Sequence, residues 1–300
     1  MKIGIDLGGS HIAIGVVDSN GRIVEKIEKS FTEVEKKNIA QAIEKNILDN
    51  VETLQKKYKI IEIGIAIPGT VNNIKVIKSV NLGLENYNIV ERLQEQINLP
   101  IKIRNDAKCA ALAENKYGCL EKYNRSIFLT LGTGIGGAVI INNKLLDTGV
   151  LPGCEIGHMV IEKDGIPCNC GRKGCFEKYG SMKAFKNNLR EALGLDENTH
   201  AEKLFDIIRS NKPENKNYEK VENVVSEFIE NLSIGIANLI NIFEPEVIGI
   251  GGSFVFFEEV LLNRLKQELL KQNLLFNERK EINVETAILG NDAGIIGAVL

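Results

Sequence analysis

The sequence repeats one strand–turn–strand unit, and this duplication limits the folds that the chain can adopt. Residues 3–24 (IGIDLGGSHIAIGVVDSNGRIV) and 127–146 (IFLTLGTGIGGAVIINNKLL) each read as a strand, a turn containing Leu-Gly, a second strand, a polar turn and a third strand. Leu7 precedes Leu131 by 124 positions, and Val16 precedes Ile140 by the same 124. One duplication of a hairpin is not the short period of a solenoid. It predicts two similar halves, each presenting a glycine-rich turn.

The rest of the chain alternates strand-like and helix-like segments. Apolar residues recur at helical spacing over 38–57, and NDAKCAALAENKYG (105–118) reads as a capped helix closed by glycine. We expect strands at IIEIGIAI (60–67), over 126–132, over 135–146, at EVIGIGG (246–252) and at EINVETAIL (281–289), and long helices across roughly 181–242. This order favours an α/β fold.

Composition limits the class of protein. The 300 residues are 44% hydrophobic and 26% charged, which is typical of a soluble globular protein. A net charge of −3 gives no basic surface for nucleic acid. No apolar run approaches the ~18 residues of a membrane span, and Asp6 comes too early for a signal peptide. We therefore expect a cytoplasmic protein with no nucleic-acid and no membrane partner.

Three glycine-rich turns follow strands, at DLGGS (6–10), LGTGIGG (131–137) and GIGGS (249–253). Glycine lets backbone N–H groups approach an anion closely, so such turns can cradle phosphates. Each alone is explained more simply as a tight turn, whereas the three together indicate phosphate binding. The second turn is followed by a strand and not by the helix that a dinucleotide fingerprint requires. Asp6 either caps its turn or helps to hold Mg²⁺ near nucleotide phosphates.

Asn105 and Asp106 stand where a strand ends and a helix begins. Either side chain can cap the helix. A carboxylate at a strand end can also be the base that accepts the proton of an attacking hydroxyl in phosphoryl transfer. The residues alone leave both interpretations open.

Metal-ligand residues are concentrated in GCEIGHMVIEKDGIPCNCGRKGC (153–175), which holds one of three histidines and four of six cysteines. Three thiolates and an imidazole satisfy tetrahedral Zn²⁺, and a site closed by four protein ligands is structural. Cys154, just outside the set, is interpreted as a small buried hydrophobe. The predicted zinc ligands are His158, Cys168, Cys170 and Cys175.

The same segment carries acidic side chains. Glu155 and His158 stand three residues apart, so they share a face of one helical turn. Glu177 follows the last cysteine by two positions. A zinc loop over 154–178 would hold two carboxylates and an imidazole, a set suited to the hydroxyl groups of a polyol.

With these motifs in this order, the chain resembles the ROK family (repressors, open reading frames, sugar kinases). The resemblance covers essentially the whole chain and rests on DLGGSHI, IAIPG, NDAKCAALAE, LTLGTGIGGAVI, EIGHM, CNCGRKGCFEKYGS, IGIGGS and DAGIIGA. It implies the two-lobed α/β fold of actin-like and hexokinase-like (ribonuclease H-like) ATPases, with an interlobe cleft. The implied small lobe is 1–120 plus 291–300, and the implied large lobe is 121–290 with the zinc loop.

The resemblance also implies an ATP-dependent hexose kinase that uses Mg²⁺ and a structural Zn²⁺. Asp106 matches the catalytic base, and His158 would offer one ring nitrogen to zinc and the other to the sugar. The residues that match the nucleotide site are Asp6, Gly8, Gly9, Ser10, Gly132, Thr133, Gly134, Gly251 and Gly252. The residues that match the sugar site are Gly69, Asn81, Asn105, Asp106, Glu155, His158 and Glu177.

The preferred hexose is less constrained. Glucose, converted to glucose 6-phosphate, is the default for a chain with Glu155, while N-acetylmannosamine, N-acetylglucosamine, allose, mannose and fructose stay open. A non-catalytic sugar sensor is less favoured, because family repressors carry a DNA-binding domain first and here the first turn starts at residue 6. A homodimer, or a tetramer, is expected by analogy alone. His11, in place of a usual lysine, and Cys154, in place of glycine or alanine, depart from the family pattern and can alter substrate preference.

Overall fold

The computed structural model describes residues 1–146, 153–272 and 283–300. These residues form two compact units. The first unit comprises residues 1–122, 288–300 and the described ends of 145–154, and the second comprises 123–144 and the described parts of 155–287. The boundaries expected from the sequence differ by two residues at 120 and by three at 291, and they place the described residues of 145–154 in the other unit.

The first unit is a five-stranded sheet with helices on both faces. Its order is β3-β2-β1-β4-β8, in which β1, β4 and β8 are parallel, and β5, β6 and β7 form a separate small sheet. The elements are β1 (Lys2–Leu7), β2 (His11–Val17), β3 (Ile23–Ser30), α1 (Glu33–Lys36), α2 (Ile39–Lys57), β4 (Glu62–Ile67), β5 (Thr70–Val71), β6 (Val76–Ser79), β7 (Leu84–Tyr87), α3 (Ile89–Gln94), β8 (Ile101–Asn105) and α4 (Asp106–Tyr117).

The second unit has a sheet of the same design, in the order β11-β10-β9-β12-β13. Its elements are β9 (Arg125–Leu131), β10 (Ile135–Ile141), β11 (Lys144–Leu145), a 3-10 turn (Ile156–His158), α5 (Glu177–Gly180), α6 (Met182–Leu193), α7 (Ala201–Arg209), α8 (Tyr218–Phe243), β12 (Val247–Gly252), a 3-10 turn (Val255–Phe257), α9 (Glu258–Lys271) and β13 (Asn283–Thr286). The chain ends with α10 (Asp292–Ala298) in the first unit. Within the described ranges, no helix has the length and apolar character that crossing a membrane requires.

The predicted duplication is confirmed by the strands. Moving β2 along the chain by 124 positions gives 135–141, which are the bounds of β10. In both units the first strand pairs antiparallel with the second and parallel with a later one, β1 with β4 and β9 with β12.

Two of the expected strands differ from the structure. The strand expected over 135–146 is wrong in its middle, because Asn142 and Asn143 have φ angles of 52° and 60° and form a tight turn. The strand expected over 281–289 is too long: β13 covers Asn283–Thr286, residues 287–289 are not strand, and residues 281 and 282 lie outside the described residues.

Two glycines let α10 lie directly on the first sheet. The apolar faces of α2 and α3 pack on one side of this sheet, and α4 and α10 lie on the other. A Cβ on Gly4 would lie 2.0 Å from the carbonyl oxygen of Ile295, and one on Gly64 would lie 1.9 Å from that of Ala298. Only glycine in β1 and β4 permits this approach, which brings the start of α10 close to the end of β1.

Candidate active site

The carboxylate of Asp6 lies at the end of β1, where α10 begins. A Cβ on Gly294 would be 2.4 Å from its Oδ2, so the side chain lies directly against the first turn of α10. Burial first, and the negative charge of Asp106 second, raise the pKa of the Asp6 carboxyl to about 7, while Lys26 lowers it. Lys26 is held by Asp292 at 2.7 Å. Asp6 is thus a carboxylate without enough nearby positive charge, a suitable ligand for a cation.

Asp6→Asn is expected to stabilise the unliganded protein above neutral pH and to abolish activity. The unfolded chain loses this proton near the ordinary aspartate pKa of 3.8, but the folded chain keeps it up to a pKa of about 7. Unfolding free energy therefore falls as pH rises between about 4 and 7, and stays lower above that range. We expect the variant to melt about 2–5 °C higher at pH 8 and equally at pH 4. Melting curves at both pH values test this, and a lower melting temperature at pH 8 would contradict it.

Of the two side chains that could cap α4, the structure shows Asn105 in that position. The Asn105 side chain caps α4, since its Oδ1 accepts the Lys108 N–H at 3.2 Å. Its Nδ2 donates to the Gly69 carbonyl and to Asp106 Oδ1, both at 3.0 Å. Both amide hydrogens of Asn105 are therefore used within the protein. Its expected contact with a sugar is limited to one remaining lone pair of Oδ1, which could accept a hydroxyl hydrogen.

The carboxylate of Asp106 lies at the start of α4 and is held by two donors. Its Oδ1 accepts the Ala107 N–H at 2.8 Å in addition to the Asn105 amide. Burial raises the pKa of the Asp106 carboxyl, and these hydrogen bonds lower it in part. The carboxylate is oriented by fixed donors and is a stronger base than a carboxylate in water.

The first glycine-rich turn is closed by a 2.9 Å hydrogen bond from the Gly8 N–H to the His11 carbonyl. The His11 ring folds back over the turn, because a Cβ on Gly8 would lie only 2.4 Å from its Cε1. Gly9 lies beside Asn81, whose carbonyl oxygen is 3.4 Å from the Gly9 Cβ position. The Ser10 carbonyl accepts the Phe31 N–H at 2.8 Å.

Two glycine-rich turns lie side by side in the second unit. β9 and β12 are parallel neighbours, so the turns that follow them are at the same edge of the sheet. Gly252 has a φ of 74°, and its Cβ would be 2.6 Å from the Leu131 carbonyl oxygen. The other turn is closed by a 3.0 Å bond from the Gly132 N–H to the Gly134 carbonyl. This edge carries Gly132, Thr133, Gly134, Gly251 and Gly252.

Two of the expected sugar contacts, Glu155 and His158, lie at the two ends of a 3-10 turn, Ile156–His158 with Glu155 as its N-cap. Glu155 precedes the turn, and its carbonyl accepts the His158 N–H at 3.0 Å. Gly157 lies against β10, since a Cβ there would be 2.2 Å from the Ile135 carbonyl oxygen. Glu155 and His158 therefore lie on a short turn that is held against the start of β10.

Glu177 begins α5, next to the fully buried Phe176. A Cβ on Gly235 of α8 would lie 2.4 Å from the Phe176 ring, so this ring fixes α5 against α8. The Glu177 Oε2 accepts the Ile135 N–H at 3.1 Å. The carboxylate thus reaches the end of the glycine-rich turn 132–134.

The predicted zinc ligands come together. Cys168 Sγ lies 3.6 Å from His158 Nδ1, and Cys170 Sγ lies 3.6 Å from Cys175 Sγ. The four ligand atoms all lie within 4.8 Å of one another. Around tetrahedral Zn²⁺ with bonds of about 2.3 Å, neighbouring sulfurs are about 3.8 Å apart. The donor set and its spacing therefore fit zinc.

Some contacts of the site were not predicted from the sequence. Lys26, Gly294 and the N–H group of Ile135 all contact or face predicted site residues. The closing motif DAGIIGA was a signal for Gly294, because a glycine early in a helix indicates a close approach. Lys26 lies in the charged strand β3, where its sequence context does not differ from that of a surface lysine, so nothing in the sequence indicated it.

Comparison with known proteins extends these observations. The ROK family model matches residues 2–300. A glucokinase of Streptomyces coelicolor is 29% identical over 311 residues, which cover 99% of this chain and 96% of that protein. A xylose repressor of Caldicellulosiruptor bescii is 28% identical, over 99% of this chain and 76% of the repressor. The structure of a ROK family glucokinase from Streptomyces griseus in complex with glucose and AMPPNP is 27% identical, with a TM-score of 0.80 and coverage of 99% and 97%. The expected fold class is thereby confirmed.

Proposed function

Because the chain belongs to the ROK family, we propose that it transfers the γ-phosphoryl group of ATP to glucose, forming glucose 6-phosphate and ADP. The chain is an ATP-dependent hexose kinase, the class of its full-length glucokinase relatives. That glucose is the preferred hexose is the more specific part of the proposal, and it is supported by those relatives and by the carboxylate of Glu155. N-acetylmannosamine, N-acetylglucosamine, allose, mannose and fructose are the alternatives.

The observation that most supports a kinase in this chain is the pairing of Asp106 with Asp6. The two carboxylates interact electrostatically at the carboxyl ends of two parallel strands, β1 and β8, which have β4 between them, and Asp106 raises the pKa of Asp6. Asp106 has the orientation and raised pKa of a base, and Asp6 has the setting of a cation ligand. Phosphoryl transfer to a hydroxyl needs one of each.

The proposed reaction gives each of these residues a part. The sugar hydroxyl oxygen, which we place at C6, attacks the γ-phosphorus while the bond to the bridging oxygen of ADP breaks. The hydroxyl proton passes to a carboxylate oxygen of Asp106, whose Oδ1 is held by the Ala107 N–H. N–H groups of the glycine turns stabilise the phosphate oxygens. Mg²⁺, when bound with ATP, supplies positive charge to those phosphates, and Asp6 would help to hold it.

The remaining predicted residues position the substrates. The residues proposed to contact the sugar are Glu155, His158, Glu177, Asn81, Asn105 and Gly69. Zn²⁺ would bind His158, Cys168, Cys170 and Cys175 and hold the loop that carries Glu155 and Glu177. Because Nδ1 of His158 faces the cysteine thiols, Nε2 is the nitrogen that would bond a sugar hydroxyl.

A sugar panel tests the proposal. ADP release is measured with MgATP and glucose, N-acetylglucosamine, N-acetylmannosamine, mannose, allose or fructose. We expect the highest kcat/KM for glucose. A clear preference for another hexose would show that glucose is the wrong substrate, while the assignment as a hexose kinase would stand. The similarity to a xylose repressor makes a sugar sensor the second candidate, and a folded protein that binds sugar without turnover would favour it.

A homodimer and a cytoplasmic location are also proposed, by analogy with the family. Sedimentation at two protein concentrations tests the dimer. A monomer at both concentrations would contradict it.

A further inference from the structure

The carboxylate of Glu177 lies on the second phosphate turn, although the sequence places it in the sugar site. Its Oε2 accepts the Ile135 N–H at 3.1 Å. A Cβ on Gly134 would lie 2.1 Å from the same oxygen. The side chain therefore fills the space above Gly134 and takes up a backbone N–H group at the end of the turn 132–134.

Ile135 is also a support for the other sugar contacts. Gly157, between Glu155 and His158, lies against its carbonyl oxygen, at 2.2 Å from the Gly157 Cβ position. The Ile135 peptide groups thus contact both Glu177 and the turn that carries Glu155 and His158. One residue at the end of the phosphate turn connects both parts of the expected sugar site.

An anion on a phosphate turn opposes the phosphate. Glycine turns bind anions through N–H groups, and here a carboxylate already accepts one of them. A polyphosphate brought to this turn would be repelled by the carboxylate, most strongly where water is excluded. Hydroxyl groups that donate to the carboxylate would reduce this repulsion, because they share its negative charge.

We propose that Glu177 couples the two substrates: a sugar bound to its carboxylate strengthens nucleotide binding at the turn 132–134. The inference rests on the proposed function and adds to it a coupling between sites. By reciprocity, the nucleotide strengthens sugar binding by the same factor. In the absence of sugar the carboxylate weakens ATP binding, so it also limits ATP hydrolysis without an acceptor.

A substitution in the phosphate turn tests the contact through sugar binding. Gly134→Ala displaces the Glu177 carboxylate, because the new Cβ would be 2.1 Å from Oε2. We expect the Kd for glucose, measured calorimetrically without nucleotide, to rise about ten-fold. Gly132→Ala is the matched control in the same turn, since a Cβ there meets no atom within 4 Å. Its glucose Kd should stay within two-fold of wild type. Equal glucose affinity in both variants would overturn the contact.

Removal of the charge tests the coupling itself. For wild type we expect glucose to lower the Kd of MgAMPPNP by about ten-fold, within the usual range of coupling between sites. In Glu177→Gln, MgAMPPNP without glucose should bind about ten-fold more tightly than to wild type, and glucose should add less than two-fold. Glu155→Gln is the control: it removes another predicted sugar carboxylate, and the effect of saturating glucose on MgAMPPNP binding should persist. Melting temperature and zinc content check that the variants fold.

The outcomes separate this inference from the proposed function. If wild type binds neither glucose nor MgAMPPNP, both are wrong. If it binds both ligands and glucose changes the nucleotide Kd by less than two-fold, the coupling is wrong and the kinase stands. The same holds if Glu177→Gln keeps the full ten-fold effect.

Discussion

Asp106→Asn is expected to lower kcat by about 10²–10⁴, the usual contribution of a general base. The amide has nearly the same shape, and its oxygen can still accept the Ala107 N–H. It cannot take the proton of the sugar hydroxyl. The Kd for glucose and the melting temperature should therefore change little, while single-turnover rates with saturating MgATP fall. A rise in KM with an unchanged kcat would mean that Asp106 only holds the substrate.

The pH dependence gives a second measurement of the same group. Burial raises the pKa of Asp106, and Asp106 in turn raises that of Asp6. A base must be ionised to act, so kcat should fall on the acid side at a higher pH than an exposed carboxyl would give. Since the two carboxyls interact, the apparent pKa of this acid-side fall in kcat belongs to the pair and not to Asp106 alone. Turnover of Asp106→Asn within ten-fold of wild type would show that another group takes the proton.

The repeated fold and the grouping of His158 with three cysteines could be predicted because they depend on local patterns. Strand alternation and glycine turns recur at a spacing of 124, and β1, β2, β9 and β10 follow this spacing. The cysteine spacing alone indicates a metal cluster, and the four ligand atoms meet. The break after Ile141 lies at the polar turn that the repeated unit predicts, at Asn142 and Asn143, whereas the apolar pattern over 135–146 alone predicts one unbroken strand.

Contacts between distant residues could not be predicted in this way. Glu114 is fully buried in α4 and accepts the N–H groups of Cys119, Ile288 and Leu289 at 2.9–3.0 Å. From the sequence alone, Glu114 cannot be distinguished from a glutamate on the exposed face of a helix. The bond between Glu177 and Ile135 is of the same kind, because a free backbone N–H leaves no mark on residue type. Such contacts fix the site, and they depend on the folded chain.

Removal of zinc should have the second large effect, on sugar binding and on stability together. Cys170→Ser removes one of four ligands, and the thiol of Cys175, 3.6 Å away, loses its neighbour in the cluster. We expect zinc content to fall from about one per chain to less than about 0.2, because a structural site needs all four ligands. Metal binding is coupled to loop folding, so the melting temperature should fall by at least about 5 °C. The glucose Kd should rise at least ten-fold, since Glu155 and Glu177 flank the loop.

A second cysteine separates the metal from the chemistry of the substitution. Cys154→Ser makes the same change at a half-buried cysteine outside the cluster, so zinc content should stay near one. Chelation of wild-type protein should reproduce the Cys170→Ser effects, and zinc added back should reverse them. If fresh wild-type protein holds no zinc yet melts cooperatively and binds glucose, the loop is held by its own hydrogen bonds. Its bonds from the Cys168 N–H to the Arg172 carbonyl at 2.8 Å, and from the Ile166 N–H to the Tyr179 hydroxyl oxygen at 2.7 Å, would then be sufficient. Zinc would in that case have no role in positioning Glu155 and Glu177.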